Sequence, residues 1–195
     1  RLADLLNSIF DVEYQGRNAI VKSNLNDISL INTNSSNGQF PKLNLPPAEL
    51  RLSRGDNVIK VFDPLRKKFV VLTPEEYVRQ HFVAWLTKYL NYPQSLISNE
   101  IGISLNGTKK RCDTVVFNVD GTPLMIVEYK APDIVITQNV FDQIVRYNMT
   151  LHAKYLVVSN GMSHYCCAVD YKSCTYNFIP SIPEYKNLKN IFSHN

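Results

Sequence analysis

In one stretch of the chain, the hydrophobic residues follow the period of a helix. The segments on either side of it have the pattern of β-strands. In TPEEYVRQHFVAWLTKYLNYP, apolar residues recur every three or four positions and form one stripe, which predicts a helix. Thr73 suits the N-cap, Pro74 suits the first helical position, and Pro93 ends the pattern. The stripe consists of Val78, Phe82, Trp85 and Tyr89.

Apolar and β-branched runs on either side of this helix predict strands. NVIKVF and KKFVVL surround the turn DPLR and predict a β-hairpin before the helix. Further strands are predicted near residues 96–104, 111–117 and 124–130, with the turn pair Asp120-Gly121 between the last two. A second helix is predicted over residues 138–151, followed by strands at KYLVVSN and SHYCCAVDY. This order predicts an α/β domain built on a central sheet.

The start of the chain has a different composition from the rest. Residues 1–42 include NLNDISLINTNSSNGQF, which is rich in Asn and Ser, and they predict an accessory or weakly ordered segment. A short amphipathic helix is expected near residues 2–10. The compact domain is expected to cover residues 43–195, which is enough chain for one sizeable core.

Composition narrows the class of protein only slightly. The chain of 195 residues carries a net charge of +4, which permits an anionic partner without requiring one. No apolar run approaches the roughly 18 residues of a membrane span, so no membrane partner is expected. The four cysteines contain no C-x-x-C pair and predict reduced core thiols in a cytoplasmic protein. The alternative is a zinc site formed by His164, Cys166, Cys167 and Cys174.

Three polar residues interrupt the apolar strands of KRCDTVVFNVDGTPLMIVEYKAPD. Glu128 and Lys130 share a strand face because they are two residues apart, and Asp113 lies across the hairpin. If the two strands pair, the three groups are expected to converge within about 4–8 Å. Two carboxylates suit Mg²⁺, or Mn²⁺ as a substitute, and Lys130 would then hold a water aimed at a phosphodiester. The alternative is a surface salt bridge.

Other polar residues are candidates for the same site. Gln143 and Tyr147 lie four apart in QIVRY, so they share a helical face and are expected to point at the carboxylates. Two roles remain open for Glu76, which either reaches the site or closes a capping box with Thr73. The run Lys109-Lys110-Arg111 precedes Asp113 and suits phosphate binding, although Arg111 alternatively pairs with a carboxylate. The run Arg66-Lys67-Lys68 is expected to be a solvated turn.

Together these motifs resemble the PD-(D/E)xK nuclease superfamily in its RecB-like branch. More closely, LTPEEYVRQHFVAWL, KKRCDTVVFNVDGTPLMIVEYKAP and DQIVRYN…YLVVSNG resemble the N-terminal endonuclease domain of type I restriction enzyme R subunits, over roughly residues 43–170. The resemblance implies a restriction-endonuclease-like core, with a central mixed β-sheet flanked by helices, and Mg²⁺-dependent cleavage of DNA. It also implies partners among other restriction-modification or helicase subunits.

The resemblance also implies a role for each matching residue. Asp113, Glu128 and the carbonyl of Tyr129 would bind the metal, and Lys130 would orient the attacking water. Gln143 and Tyr147 would support the site or contact the DNA backbone, and Glu76 matches the helix-borne acid that some members use. DNA contacts by Lys109, Lys110 and Arg111 are expected from their place before Asp113, independently of the resemblance. The alternative function is a non-catalytic nucleic-acid-binding or assembly module that retains the nuclease fold. The sequence predicts no oligomeric state.

Overall fold

The computed structural model describes residues 40–55, 58–105 and 107–189, and this part of the chain contains nine strands and three α-helices. A 3₁₀ turn, Gln94–Leu96, precedes the fourth strand. In chain order the elements are β1 (Leu52–Gly55), β2 (Val58–Asp63), β3 (Lys68–Val71), α1 (Pro74–Lys88), β4 (Ile97–Leu105), β5 (Thr108–Phe117), β6 (Pro123–Tyr129), α2 (Gln138–Leu151), β7 (Tyr155–Ser159), β8 (His164–Asp170), β9 (Thr175–Ile179) and α3 (Tyr185–Lys189).

The strands form two sheets. β1, β2 and β3 make a small antiparallel sheet, and β4 to β9 make a six-stranded sheet in which the spatial order follows the chain order. All neighbours in the large sheet are antiparallel except β6 and β7, which are parallel. A parallel pair needs a crossover connection, and α2 supplies it. The predicted α/β fold, with a central mixed sheet flanked by helices, is confirmed.

Each face of the large sheet buries its own apolar cluster. Along β6, Val127 belongs to the cluster beneath α1 and the small sheet, whereas its neighbour Ile126 belongs to the cluster beneath α2. Successive strand residues point to opposite faces, so one strand contributes to both clusters. The same alternation separates Cys166 from Cys167. Both are free thiols, as is the buried Cys112, which confirms that these three are reduced core residues.

α1 begins as its sequence predicts. Thr73 is the N-cap, and its Oγ1 accepts the backbone N–H of Glu76 at 3.1 Å. The backbone N–H of Thr73 donates to the carbonyl of Val71 at 3.0 Å, so the Glu76 carboxylate does not close a capping box. The apolar stripe ends at Trp85, because Tyr89 lies past the helix end and is 48% exposed.

Three short elements were not predicted, namely β1, β9 and α3. Each has five residues or fewer, and the described side chains of β9 are exposed or half-buried. Such short segments lack a strong periodic pattern, and the two strands also depend on pairing with a neighbour. Cys174, in the turn before β9, is exposed, so the expectation of a core thiol is wrong at this position.

The compact part of the chain includes residues just before position 43. The Phe40 ring stacks on Tyr77 with 4.6 Å between ring centroids, and Leu43 and Leu45 are buried. Residues 1–39, including the helix expected near residues 2–10, lie outside the described part. Within the described part, no helix combines the length and the apolar character needed to cross a membrane.

Gly161 provides a test of how the segment around Leu43 packs on the β7–β8 turn. Gly161 has φ +80°, and a Cβ at this position would lie 2.7 Å from Leu43 Cδ2. We expect Gly161→Ala to lower the free energy of unfolding by roughly 2–4 kcal/mol, because left-handed strain adds to overpacking. The measurement is urea denaturation followed by circular dichroism.

The matched control for this prediction is Gly102→Ala in β4. A Cβ at Gly102 meets no atom within 4 Å, and the backbone there is not left-handed. This variant is therefore expected to be as stable as the wild type or slightly more stable. Equal effects of the two substitutions would contradict the close packing of Leu43 on Gly161.

Candidate functional site

The candidate site lies where β5 and β6 separate. The pairing of these strands ends at Thr114 and Val127, and Asp113 is the residue of β5 that immediately precedes Thr114. Instead of a strand carbonyl, the Oδ2 atom of Asp113 accepts the backbone N–H of Tyr129, at 2.8 Å. The β4–β5 ladder is interrupted at the same level, since neither Asp113 nor Glu100 opposite it forms a bridge. The Asp113 carboxylate therefore occupies a fork between strands.

Regular strand alternation breaks at this fork. Cys112 and Val115 are three residues apart, yet both pack in the cluster beneath α2. Glu100, opposite Asp113, has φ +61°, a left-handed conformation that is uncommon for a residue with a side chain. Simple alternation, which predicts that Asp113 and Glu128 share a face, therefore does not describe the site. Asp113 is bonded from the side of α1 and Glu128 from the side of α2, and the charge of Asp113 still raises the pKa of Glu128.

Glu128 is held from the side of α2. Its Oε1 atom accepts hydrogen bonds from Lys130 Nζ at 2.9 Å and from Gln143 Nε2 at 2.7 Å. Gln143 Nε2 also donates to the hydroxyl of Tyr147 at 3.0 Å. The predicted orientation of Gln143 and Tyr147 towards the carboxylates is thus found. Among the described residues, no protein group donates to the second oxygen of Glu128, Oε2.

Asp113 is held from the side of α1. Arg79 Nη2 donates to its Oδ1 atom at 2.9 Å, and the same nitrogen lies 2.7 Å from Glu100 Oε1. The other arm of the guanidinium, Nη1, donates to Glu76 Oε2 at 2.6 Å. Glu76 is therefore linked to the site through Arg79 and does not itself contact Asp113. Arg79 was not predicted, although Glu76 and Arg79 are one helical turn apart and suit an ion pair.

These contacts belong to a closed chain of hydrogen bonds that runs through both sheets and α1. The chain passes from Asp113 through Arg79 and Glu76 to Arg66, and from Arg66 to Asp63 in β2. On the return side, Asn99 Nδ2 donates to Asp63 at 3.0 Å, and Thr114 Oγ1 donates to Asn99 at 2.7 Å. The hydroxyl of Tyr129 donates to Thr114 at 3.0 Å, and the backbone N–H of Tyr129 closes the chain at Asp113. Arg66 is thus an ion-paired residue of the network, and the expectation of a solvated turn is wrong for it.

Burial and like charge shift the ionisation of the two carboxylates. Burial and the negative charge of Asp113 raise the pKa of Glu128 to about 7, although the hydrogen bond from Lys130 opposes this rise. Burial also raises the pKa of Asp113, opposed by Arg79 and by the Tyr129 N–H. Burial alone would lower the pKa of Lys130, but the hydrogen bond to Glu128 and its charge raise it. Lys130 is therefore protonated at neutral pH.

The donor set is compatible with Mg²⁺. Carboxylate oxygens are the ligands that Mg²⁺ prefers, and the ion keeps several waters, so two carboxylates suffice. Oε2 of Glu128 accepts no hydrogen bond from the described protein, and each Asp113 oxygen retains a lone pair beyond the one hydrogen bond it accepts. Burial and, after it, the charge of Asp113 raise the pKa of Glu128, and a bound cation would offset both effects.

The described residues contain no group of three or more His, Cys, Asp and Glu arranged to hold a metal ion. The zinc alternative is therefore unsupported, and His164 instead contacts Ser159 Oγ at 2.8 Å and the Asn44 carbonyl at 2.9 Å. The Tyr129 side chain is buried and bonds Thr114, so only the Tyr129 backbone adjoins the carboxylates.

The predicted basic residues lie on the β4–β5 hairpin. Lys109 and Lys110 are exposed, and their phosphate-binding role stays a prediction. Arg111 forms an ion pair with Glu100, with 2.7 Å between Nη1 and Oε2, while its side chain remains 69% exposed. The structural pairing considered for Arg111 is therefore present.

A comparison with protein-family models agrees with the resemblance of the motifs. The family model described as type I restriction enzyme R protein N terminus matches residues 74–183, which is more than half of the chain. No curated protein matches the chain. One matching solved structure is a fragment assigned to the HsdR subunit of a type I restriction enzyme from Vibrio vulnificus YJ016, with 19% identity and a TM-score of 0.45. The match covers 61% of this chain but only 26% of that chain.

The raised pKa of Glu128 predicts how stability depends on pH without metal. A carboxyl group with a higher pKa in the folded state than in the unfolded state stabilises the protein at low pH. That stability is lost as pH rises from about 4.5 through about 7. We expect Glu128→Gln to gain on the order of 1–3 kcal/mol relative to the wild type between pH 4 and pH 8. Urea denaturation in EDTA across this range measures the difference.

Lys130→Met is the companion variant for this measurement. Lys130 lowers the pKa of Glu128, so its removal is expected to move the loss of stability to higher pH. A difference between Glu128→Gln and wild type that stays constant with pH would contradict the assigned ionisation of Glu128.

Proposed function

Because the chain belongs to the family of type I restriction enzyme R protein N termini, we propose that it is a Mg²⁺-dependent endonuclease domain that hydrolyses phosphodiester bonds in DNA. The observation that supports this proposal is the placement of Asp113 and Glu128 at the β5–β6 fork, where the Asp113 charge raises the pKa of Glu128 and Lys130 donates to Glu128. Hydrogen bonds fix each group, since Arg79 donates to Asp113 and Gln143 donates to Glu128. Lys130 is fixed by its own hydrogen bond to Glu128.

The two carboxylates are the proposed metal ligands. Asp113 is presented by the fork and Glu128 by the end of β6, with Oε2 free of protein donors among the described residues. Bound Mg²⁺ would stabilise the negative charge that develops on the phosphate oxygens. The Tyr129 carbonyl is the proposed third ligand, because the Tyr129 backbone adjoins Asp113. Its buried side chain takes no part.

Lys130 is proposed to orient the attacking water or a phosphate oxygen. It is protonated at neutral pH, so it acts by donating hydrogen bonds and does not accept a proton from the water. Its side chain is 20% exposed, which leaves the ammonium group within reach of a substrate. Gln143 and Tyr147 hold Glu128, and through it Lys130, in place.

DNA would approach the site along the β4–β5 hairpin. Lys109 and Lys110 are exposed on β5, on the approach to Asp113, where they would neutralise backbone phosphates. The other subunits of a restriction-modification system are the proposed protein partners, following the description of the family. A cytoplasmic location is part of the proposal and is supported by the free thiols of the described cysteines.

Cleavage of supercoiled plasmid DNA tests the proposed reaction. We expect nicking with Mg²⁺ or Mn²⁺, no nicking with EDTA, and a rate at least about 100-fold lower for Lys130→Ala and for Asp113→Asn. Agarose gel electrophoresis over a time course gives the rates. Fluorescence anisotropy of a labelled duplex in EDTA gives DNA affinity, which both variants should retain.

A matched control for Lys130→Ala is Lys186→Ala. Lys186 also pairs with a glutamate two residues before it, with 2.8 Å between Nζ and Glu184 Oε2, but its side chain is 71% exposed. This variant should cut like the wild type. Cleavage that survives EDTA would contradict the metal requirement. A wild-type chain that binds DNA and never cuts it would favour the non-catalytic binding or assembly module.

A further inference from the structure

Arg79 is the point at which three carboxylates meet. Its Nη1 donates to Glu76 at 2.6 Å, and its Nη2 lies 2.9 Å from Asp113 Oδ1 and 2.7 Å from Glu100 Oε1. The guanidinium lies 5.6 Å from the centre of the Tyr129 ring. Arg79 is 5% exposed, so its charge is directed into the protein and is not available to a DNA phosphate.

The position of Arg79 is itself fixed. Glu76 is held by two further donors, because Arg66 Nη2 and Gln80 Nε2 donate to its Oε1 at 2.6 Å and 2.8 Å. The guanidinium is planar and rigid, so its two arms define the direction from which Nη2 reaches Asp113. The other oxygen of Asp113 is bound by the Tyr129 N–H. Both oxygens are therefore held, and the plane of this carboxylate is determined before any cation arrives.

Building on the proposed function, we propose that Arg79 is a positioning residue that orients Asp113 for the metal ion. It acts through Asp113, because its guanidinium is buried and bonds that carboxylate directly. This role differs from charge balance alone, and the two roles predict opposite effects on metal affinity. A positive charge beside a cation site repels the cation, so removing a purely balancing charge would strengthen metal binding. Removing a positioning residue weakens metal binding, because the ligand is no longer oriented.

Arg66 provides the matched control. Like Arg79, it is a largely buried arginine that donates to the Glu76 carboxylate at 2.6 Å. Its second partner is Asp63 in the small sheet, and among the described residues it does not contact Asp113 or Glu128. Arg66→Gln therefore removes one buried arginine from the same network while leaving both proposed metal ligands with their own hydrogen bonds.

The experiment is Mn²⁺ binding to the full chain by isothermal titration calorimetry, in the wild type, Arg79→Gln, Arg79→Lys and Arg66→Gln. We expect Arg79→Gln to raise the Kd by about 10- to 100-fold, the usual cost of losing a partner that orients a metal ligand. Arg66→Gln should raise the Kd much less than Arg79→Gln does, because Arg66 reaches Asp113 only through Glu76 and Arg79, and Gln80 still donates to Glu76. Single-turnover cleavage at saturating Mn²⁺ should fall for Arg79→Gln, while duplex affinity in EDTA should not change.

Arg79→Lys serves if Arg79→Gln does not fold. Lysine keeps the charge but lacks the rigid two-armed fork, so charge balance alone predicts wild-type metal affinity, whereas positioning predicts weaker binding. Tighter Mn²⁺ binding by Arg79→Gln, or wild-type binding by Arg79→Lys, would overturn the positioning role. If the wild type binds Mn²⁺ and cuts DNA, but the Arg79 variants bind Mn²⁺ with the same Kd as Arg66→Gln, this inference alone is wrong. A wild type that neither binds Mn²⁺ nor cuts overturns the proposed function and this inference together.

Discussion

The hydrogen bond from the Tyr129 N–H to the Asp113 carboxylate is the interaction on which the site depends. β5 and β6 pair without a register shift from Val116 to Thr114 and then separate, which would leave a strand N–H without its acceptor. An unsatisfied buried donor costs roughly 1–3 kcal/mol, and the Asp113 side chain removes this cost by replacing the missing carbonyl. The fork that presents the carboxylates is thus part of the hydrogen-bonded structure of the sheet.

The charges around the fork are arranged with alternating sign. Asp113, Arg79, Glu76, Arg66 and Asp63 follow one another as partners, so each buried charge contacts at least one of opposite sign. Removing one member of a buried pair costs about 3–5 kcal/mol, because the other charge is left uncompensated. The network therefore connects the small sheet and α1 to the fork, and it transmits the placement of α1 to Asp113.

Glu128 differs from the rest of this network. Its two partners are Lys130 and the neutral Gln143, and burial together with the nearby Asp113 charge raises its pKa to about 7. The protein alone therefore compensates its charge only in part. In the proposed nuclease a divalent cation would provide the missing compensation, so metal binding and the loss of a proton from Glu128 would be linked. The uncompensated negative charge of the buried carboxylates thus both destabilises the protein without metal and favours the binding of the proposed cation.

The sequence by itself determined the elements whose signals are local. The cap at Thr73, the period of α1, the hairpin around DPLR and the alternation along β6 each depend on residues within a few positions of one another. The association of Asp113, Glu128, Lys130, Gln143 and Tyr147 followed from spacing and family resemblance. The tertiary structure alone decided that the strands fork at Asp113, that Arg79 is its partner from 34 positions away, and that Glu100 faces it with a left-handed backbone. These features depend on which strands and helices pack together, and hydrophobic periodicity carries no information about contacts between distant polar groups.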